Sequence, residues 1–478
     1  MRAGRAVWGA ILALVAGVGA ARAAPPEPSP EGARAAGSSR PDVLVVLADD
    51  LGWGDVGAHG SEIETPALDR LFREGVEIRR FYVSPVCSPT RAALLTGRSP
   101  VDLGLLYSGV PPWSERGLPA GVPTLARRFR EAGYATALVG KWHLGHARPE
   151  QLPRAHGFDH FYGLLGAWID HFSHREEENG TLDWQRNGES LVEEGYSTQL
   201  LGDEALRLLE ARDPARPFFL LLAFDAPHVP LQAPEADLAR TVHLPDPRRQ
   251  RYAAMVAALD RALGRVLAAV DRGGRAERTL VVFLSDNGAL PEGGGSNRPL
   301  RGEKFTTLEG GIRVPAVLRW PGRLPAGVVS EQRMRDFDLL PTLAAAADLG
   351  PAAAAGCEGL DLWPALRGGA PREREAFFFA TDARHVTWRA ALDGPFKLVT
   401  SEPTGHPEWR SRQLFQVERD PGERVDLAAR EPERVAELER RLSAWEARHP
   451  ADGIRYSEAP AGWTAPADLN PLAAAVGR

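Results

Sequence analysis

One pattern recurs four times along the chain: an apolar run rich in β-branched residues stops at a polar motif. Residues 43–47 run into Asp49-Asp50, and residues 135–139 into Gly140-Lys141-Trp142-His143. Residues 218–224 run into Asp225-Ala226-Pro227-His228, and residues 280–284 into Ser285-Asp286-Asn287-Gly288. Near-continuous apolar runs suit strands buried on both faces. Helical patterns at 65–74, 124–132, 197–212 and 252–271 separate them, and alternating strands and helices imply an α/β sheet. Ligands of such sheets bind beyond the carboxyl ends of the strands. The four polar motifs are therefore expected to converge on one site.

At 478 residues the chain exceeds the length at which a single core stops growing, so a second, smaller domain is expected. After residue 365 the texture changes. Gly368-Gly369-Ala370-Pro371 and the charged residues 372–375 read as a linker. Short strand patterns follow at 376–380, 387–392, 396–399 and 413–417, then a charged helix at 432–448. This gives a catalytic domain at 41–365 and a small α+β domain with an antiparallel sheet at 366–478. A net charge of −6 supplies no basic excess for a nucleic-acid partner, so any anion site must be local. Arg2 and Arg5, an uncharged stretch 6–20 and Ala21-Arg22-Ala23 read as a signal peptide over 1–23. An uncleaved N-terminal anchor is the alternative. Residues 24–40 form a Pro/Gly/Ser/Ala-rich spacer, expected to be disordered. No other stretch is long and apolar enough to insert in a membrane. The expected location is the bacterial periplasm or exterior.

Asp49, Asp50, Asp286 and Asn287 offer only oxygen ligands, the set that hard cations such as Ca²⁺ or Mg²⁺ prefer. Adjacent acids repel unless a cation offsets them; the plainer reading is a capping Asp-Asp pair and an Asp-Asn-Gly turn. Cys87 opens the stretch Cys87-Ser88-Pro89-Thr90-Arg91, which continues to Thr96-Gly97-Arg98. It reads as a helix start, with Ser88 as cap and Pro89 in the first turn. A helix N-terminus attracts anions; a lone cysteine would otherwise be a buried structural thiol. Lysine is nearly absent: only Lys141, Lys304 and Lys397 occur, with arginine elsewhere. Lys141 and Lys304 lie in polar motifs and are expected to hold an anion as compact point charges, whereas Lys397 reads as an ordinary strand residue. His143 and His228 are the acid–base candidates. His171, Ser173 and His174 lie in a polar loop that could line the pocket.

Taken together, the pattern Cys-x-Pro-x-Arg followed by Leu95-Thr96-Gly97-Arg98 resembles the signature of the type I sulfatases. The likeness runs from residue 42 to about 345 and is weaker at Leu414-Phe415 and Asp420-Pro421-Gly422-Glu423. Asp50-Leu51-Gly52-Trp53-Gly54-Asp55, Ala226-Pro227-His228, Pro299-Leu300-Arg301-Gly302-Glu303-Lys304 and Glu309-Gly310-Gly311-Ile312-Arg313 are most similar to the arylsulfatase B (N-acetylgalactosamine-4-sulfatase) type. Specificity for a 4-sulfated aminosugar does not follow, because the animal arylsulfatase B carries further cysteines that this chain lacks. The resemblance implies an alkaline-phosphatase-like large domain with a mixed, mostly parallel sheet between helices. It implies that Cys87 is oxidised to Cα-formylglycine by a formylglycine-generating enzyme. It further implies that Asp49, Asp50, Asp286, Asn287 and the modified residue 87 bind Ca²⁺, with Mg²⁺ the alternative. Arg91 would support the formylglycine, and Lys141, His228, Lys304 and Ser173 would bind sulfate. The hydrated aldehyde would attack sulfur, His228 or Lys304 would assist the leaving alcohol, and His143 would then release sulfate. Substrates would be sulfated carbohydrates or aryl sulfates. Asn287 stands where the two-metal phosphatases of the wider group carry histidine, which argues for one metal. Thr90 replaces the commoner serine. With Cys87 converted, Cys357 has no disulfide partner. The competing readings are a phosphonate or phosphodiester hydrolase on the same scaffold, or a non-catalytic glycan-binding relic.

Overall fold

The structure, a computed structural model, describes residues 40–176, 179–455 and 457–473. The expected signal peptide, and the spacer up to residue 39, lie outside these residues. Among the described residues ten strands form one sheet and four form another.

The large sheet contains β1 (Asp42–Ala48), β2 (Val76–Tyr82), β3 (Ala135–Gly140), β4 (His160–Gly163), β5 (Gln185–Arg186), β6 (Glu189–Ser190), β7 (Phe218–Ala223), β8 (Thr279–Ser285), β9 (Ala316–Arg319) and β10 (Val328–Arg335). Their order is β10-β2-β9-β8-β1-β7-β3-β4-β5-β6. The block β8-β1-β7-β3-β4 is parallel throughout. Strand β9 runs against both β8 and β2, and β5 runs against β4, so the sheet is mixed but mostly parallel, as expected.

The four apolar runs are β1, β3, β7 and β8. In β1, Val43, Val45 and Leu47 join one core while Leu44, Val46 and Ala48 join the other. Alternation of side chains across a strand buried on both faces explains the unbroken apolar sequence. The first core is covered by α2 (Cys87–Thr96), α3 (Leu125–Glu131) and α8 (Leu339–Ala346), through Leu94, Phe129 and Leu340 among others. The second is covered by α1 (Pro66–Glu74), α4 (Ser197–Ala211) and α6 (Pro247–Asp271), through Leu71, Leu201 and Leu259. Helix α6 starts five residues before the expected helix at 252–271. The Asp246 carboxylate caps it by accepting from Arg248 N at 2.9 Å, with Pro247 at the first position, an N-terminal signal of Asp-Pro type that the apolar periodicity alone did not reveal.

The second sheet is antiparallel, β11 (Phe377–Ala383), β12 (Val386–Asp393), β13 (Phe396–Pro403) and β14 (Ser411–Gln416), in sequence order. Helix α10 (Pro432–Glu446) covers one face, where Leu438 and Leu442 meet Ala391 and Leu398. The other face packs on the large sheet's surroundings, with Phe379 and Phe415 in one cluster with Tyr82, Leu308 and Ile312. Lys397 lies in β13, as its plain strand reading expects, and its surroundings add a structural role. Its ammonium is fully buried between Glu309 (2.9 Å) and Glu423 (3.0 Å). Glu423 in turn accepts from Glu309 N at 2.7 Å, and Tyr82 donates to Glu309 at 3.1 Å. A buried charge is tolerable only when paired and hydrogen-bonded in this way.

Candidate active site

Each parallel strand hands its polar motif to the same end of the sheet. The ladder continues one residue past the strands: Asp49 N donates to Ala226 O (3.1 Å), Lys141 N to Ala223 O (2.9 Å) and Asp286 N to Ala48 O (3.0 Å). Gly140 is required at this turn. It has φ +116°, and a Cβ there would stand 1.8 Å from Ala223 O.

Helix α2 approaches from β2 and is buried along its whole length. Its N-cap residue is Val86, with no capping side chain, which corrects the expected Ser88 cap. Ser88 Oγ instead donates to His143 O (2.7 Å) and accepts from Val110 N (3.1 Å), tying the helix start to the His143 turn. Thr90 Oγ1 accepts from Ser84 N (3.0 Å) and closes the turn before Cys87. Cys357, half-buried, packs at the opposite end of α2, where a Cβ on Gly97 would meet its sulfur.

Asp49, Asp50, Cys87 and His228 bring one ligand atom each within 4.8 Å of one another, all buried. Lys141 Nζ lies 2.5 Å from Asp49 Oδ2, and Lys304 Nζ lies 2.7 Å from Asp50 Oδ1. Asn287 Nδ2 donates to Asp50 Oδ1 at 2.6 Å. Two buried acceptors, Asp49 Oδ1 and Asn287 Oδ1, are left without a hydrogen-bond partner. Orphaned oxygens beside clustered carboxylates fit a hard cation with oxygen ligands. Asp286 is engaged differently from the other acids. Its Oδ2 takes both Arg91 Nη2 (2.7 Å) and Nε (3.1 Å), while its Oδ1 accepts from Asp50 N at 3.3 Å. Arg91 also donates to Lys141 O at 2.9 Å, so it braces the carboxylates and the lysine turn together.

Asp50 has φ +69°, outside the regions ordinary residues prefer. Burial acts to raise its pKa, but Lys304 and then His228 outweigh it and hold the carboxyl below its usual range. Burial raises the Cys87 thiol, against the pull of Lys141 and Lys304. His143, also at positive φ (+57°), is pushed well below the usual histidine range by burial and then by Lys141 and Arg91. Its Nε2 faces Val110 O at 3.2 Å. A carbonyl only accepts, so Nε2 carries the proton and Nδ1, which has no partner, keeps a free lone pair. By the same logic His228 donates from Nδ1 to Val229 O (2.8 Å) and directs a bare Nε2 toward Asp50 Oδ2 at 3.7 Å. Trp168 lies parallel to the His228 ring at 6.1 Å.

Ser173 does not join the group. It sits exposed on a turn, with its backbone N–H held by Asp170 Oδ1 at 2.7 Å, which corrects the expected sulfate contact: the turn buries His174 and leaves Phe172 and the serine outward. His174 is stacked on Trp184 at 4.4 Å instead. His171 is the residue of that loop that reaches the site. Its Nδ1 contacts Asp225 Oδ2 (3.0 Å) and its Nε2 contacts His228 O (3.1 Å). Burial lowers the His171 pKa, but Asp225 overcomes this and the net shift is upward. Asp225 opened one of the four strand-end motifs, so its position was a signal; its role in fixing His171 was not visible.

With this geometry in place, comparison with known proteins is direct. The Sulfatase family profile matches residues 41–349. Arylsulfatase J of Mus musculus is 34% identical over 462 residues, covering 85% of this chain and 76% of that protein. N-acetylgalactosamine-6-sulfatase of Canis lupus familiaris is 36% identical over 479 residues, covering 91% and 88%. The crystal structure of Ps i-CgsB in complex with k-i-k-neocarrahexaose superposes with a TM-score of 0.78 at 31% identity, covering 89% of this chain and 95% of that one. The chain belongs to the sulfatase family and is a sulfuric ester hydrolase. The narrower likeness to the arylsulfatase B type is not carried by these relatives.

Proposed function

We propose that this enzyme hydrolyses sulfate monoesters of saccharides to an alcohol and inorganic sulfate at the cluster of Cys87, Asp49, Asp50, Asn287, Arg91, Lys141, His143, His228 and Lys304. The observation that carries this reading is the buried meeting of Cys87 with Asp49, Asp50 and His228 within 4.8 Å, flanked by two lysine ammonium groups. Conversion of Cys87 to formylglycine would supply a hydrated aldehyde as an oxygen nucleophile, and Ca²⁺ held by Asp49, Asp50, Asn287, Asp286 and residue 87 would offset negative charge. Burial raises the unmodified thiol, away from the thiolate that is the reactive form of cysteine.

The remaining steps belong to this chain's own groups. Lys141 and Lys304 face a sulfate with positive charge that is already oriented, which counts most where charge develops. The bare Nε2 of His228 and the ring of Trp168 border the same space. His143 Nδ1 is the proton acceptor that holds no competing partner. Arg91 keeps Asp286 and the Lys141 turn in register. Sulfated glycans are favoured over simple aryl sulfates by the relatives named for N-acetylgalactosamine-6-sulfate and bound to a neocarrahexaose. Export through the N-terminal segment, processing by a formylglycine-generating enzyme, and the partition into 41–365 and 366–478 complete the proposal.

The test is the mass of the Cys87 tryptic peptide from protein made in its own host, with sulfate release measured on the same sample. Conversion lowers the mass by about 18 Da, a change distinct from thiol oxidation. A converted, calcium-loaded enzyme that releases no sulfate from any saccharide or aryl sulfate would overturn the reading.

A further inference from the structure

Of the acids that close the parallel strands, Asp49, Asp50 and Asp286 enter the catalytic cluster and Asp225 does not. Asp225 lies two residues past β7 and is buried. Its Oδ2 accepts from Ser197 Oγ at 2.6 Å, at the start of α4, and meets His171 Nδ1 at 3.0 Å. The other nitrogen of that ring, Nε2, faces His228 O at 3.1 Å. A carboxylate and a carbonyl both accept, so His171 donates from both nitrogens.

The main chain of His171 is held as firmly as its ring. Ser197 N donates to His171 O at 2.8 Å, and His171 N donates to Gln232 Oε1 at 2.8 Å. Gln232 Nε2 donates in turn to Asp170 Oδ2 at 2.6 Å, and Tyr196 OH donates to Gln232 O at 3.1 Å. Three segments distant in sequence thus meet at one buried imidazole: the 168–174 loop, the start of α4 and the turn after β7. Apolar residues of like volume would stabilise such a junction at least as well. What a fully satisfied polar network adds is a single fixed arrangement.

The network ends on His228. The ring of His228 makes its own hydrogen bond to the adjacent Val229 O, a local contact that moves with the turn. Where the ring stands therefore depends on the backbone of the turn. His228 N donates to Asp225 O at 3.1 Å, and His228 O is held by His171. Asp225 and His171 thus hold this residue by both its backbone groups. Trp168, three residues before His171, lies parallel to the His228 ring, so the same loop also places the ring's neighbour.

We propose that Asp225 and His171 are positioning residues for sulfate-ester hydrolysis, taking no part in bond making and acting by fixing the His228 imidazole beside the scissile group. This rests on the sulfatase reading above and deepens it. Formylglycine-containing enzyme is assayed on whichever ester it cleaves best among nitrocatechol sulfate and the 4- and 6-sulfates of galactose and N-acetylgalactosamine. His171→Gln and Asp225→Asn are each expected to lower kcat about 10–100-fold, the scale of a small misplacement, with formylglycine content unchanged by mass spectrometry. In a His228→Ala background the same changes are expected to lower kcat less than about twofold, because residues that act through one another are not additive. Gln232→Leu, which leaves the buried His171–Asp225 pair in place, carries the same cycle where those two variants fail to fold. Equal losses with and without His228 would overturn the proposal and leave the network a purely structural one. Unchanged kcat in folded His171→Gln would overturn it as well. Both outcomes leave the sulfatase reading intact, whereas no sulfate release by the unsubstituted enzyme from any of these esters would refute that reading itself.

Discussion

At the scale of single residues, the site separates groups that hold charge from groups that hold a lone pair. His143 donates from Nε2 to Val110 O, and its unpartnered Nδ1 is free to accept a proton. His143→Ala is expected to lower kcat by about 10²–10⁴-fold, the usual worth of a positioned general base, with formylglycine content unchanged by mass spectrometry. Asn287 tests the cation with a readout independent of turnover. Its amide nitrogen sits 2.6 Å from Asp50 Oδ1, and Asn287→Asp would set two carboxylates face to face. The variant is expected to lose about 3–5 kcal/mol in EDTA, the scale of an uncompensated buried charge, and to recover a large part on adding Ca²⁺. An unfolding midpoint insensitive to Ca²⁺ in this variant would remove the cation from the site. The residues quoted from sequence for this centre were legible because their types are chemically restricted: acids, lysines and a cysteine leave few alternative uses when they stop an apolar run. Ser173 was misplaced because a polar loop reads the same whichever of its members turns inward.

At the scale of elements, the four strands were readable because burial on both faces writes itself into the sequence as an unbroken apolar run. Strands β5 and β6, two residues each, leave no such trace, and β10 alternates weakly with an exposed start. Lys397 shows the same limit. Nothing in Gly394-Pro395-Phe396-Lys397 announces that the ammonium will be buried, because both of its partners, Glu309 and Glu423, come from other segments. Lys397→Met is expected to cost about 3–5 kcal/mol by stranding those two carboxylates. The loss measured by denaturant unfolding should ease as pH falls, since burial and then Glu309, opposed by Lys397, already raise Glu423 to about 6. A loss that is independent of pH would show that packing, and not the ion cluster, joins β13 to the Glu309 turn.

At the scale of the whole molecule, pH stability should carry the signature of Asp183. Its carboxyl is fully buried, and burial raises it to about 7 against the hydrogen bonds from Leu165 N and Gly166 N, both at 2.7 Å. The folded state then binds a proton that the unfolded chain releases near pH 4. Stability from this group is therefore fully present below pH 4 and is lost as pH rises through about 7, by up to about 4 kcal/mol. Asp183→Asn should flatten the profile between pH 4 and 7 relative to the native chain in thermal unfolding; an unchanged slope would assign the effect elsewhere.

The sequence alone determined the α/β class, the end of the sheet where chemistry gathers, and most of the residues gathered there. It could do so because strand burial and scarce residue types are local properties of the chain. Only the tertiary structure decided that Arg91 grips Asp286, that His171 and Asp225 brace His228, and that Lys397 is buried between Glu309 and Glu423. Those pairings join residues tens to hundreds of positions apart, and no local preference encodes which distant partner a buried charge will meet.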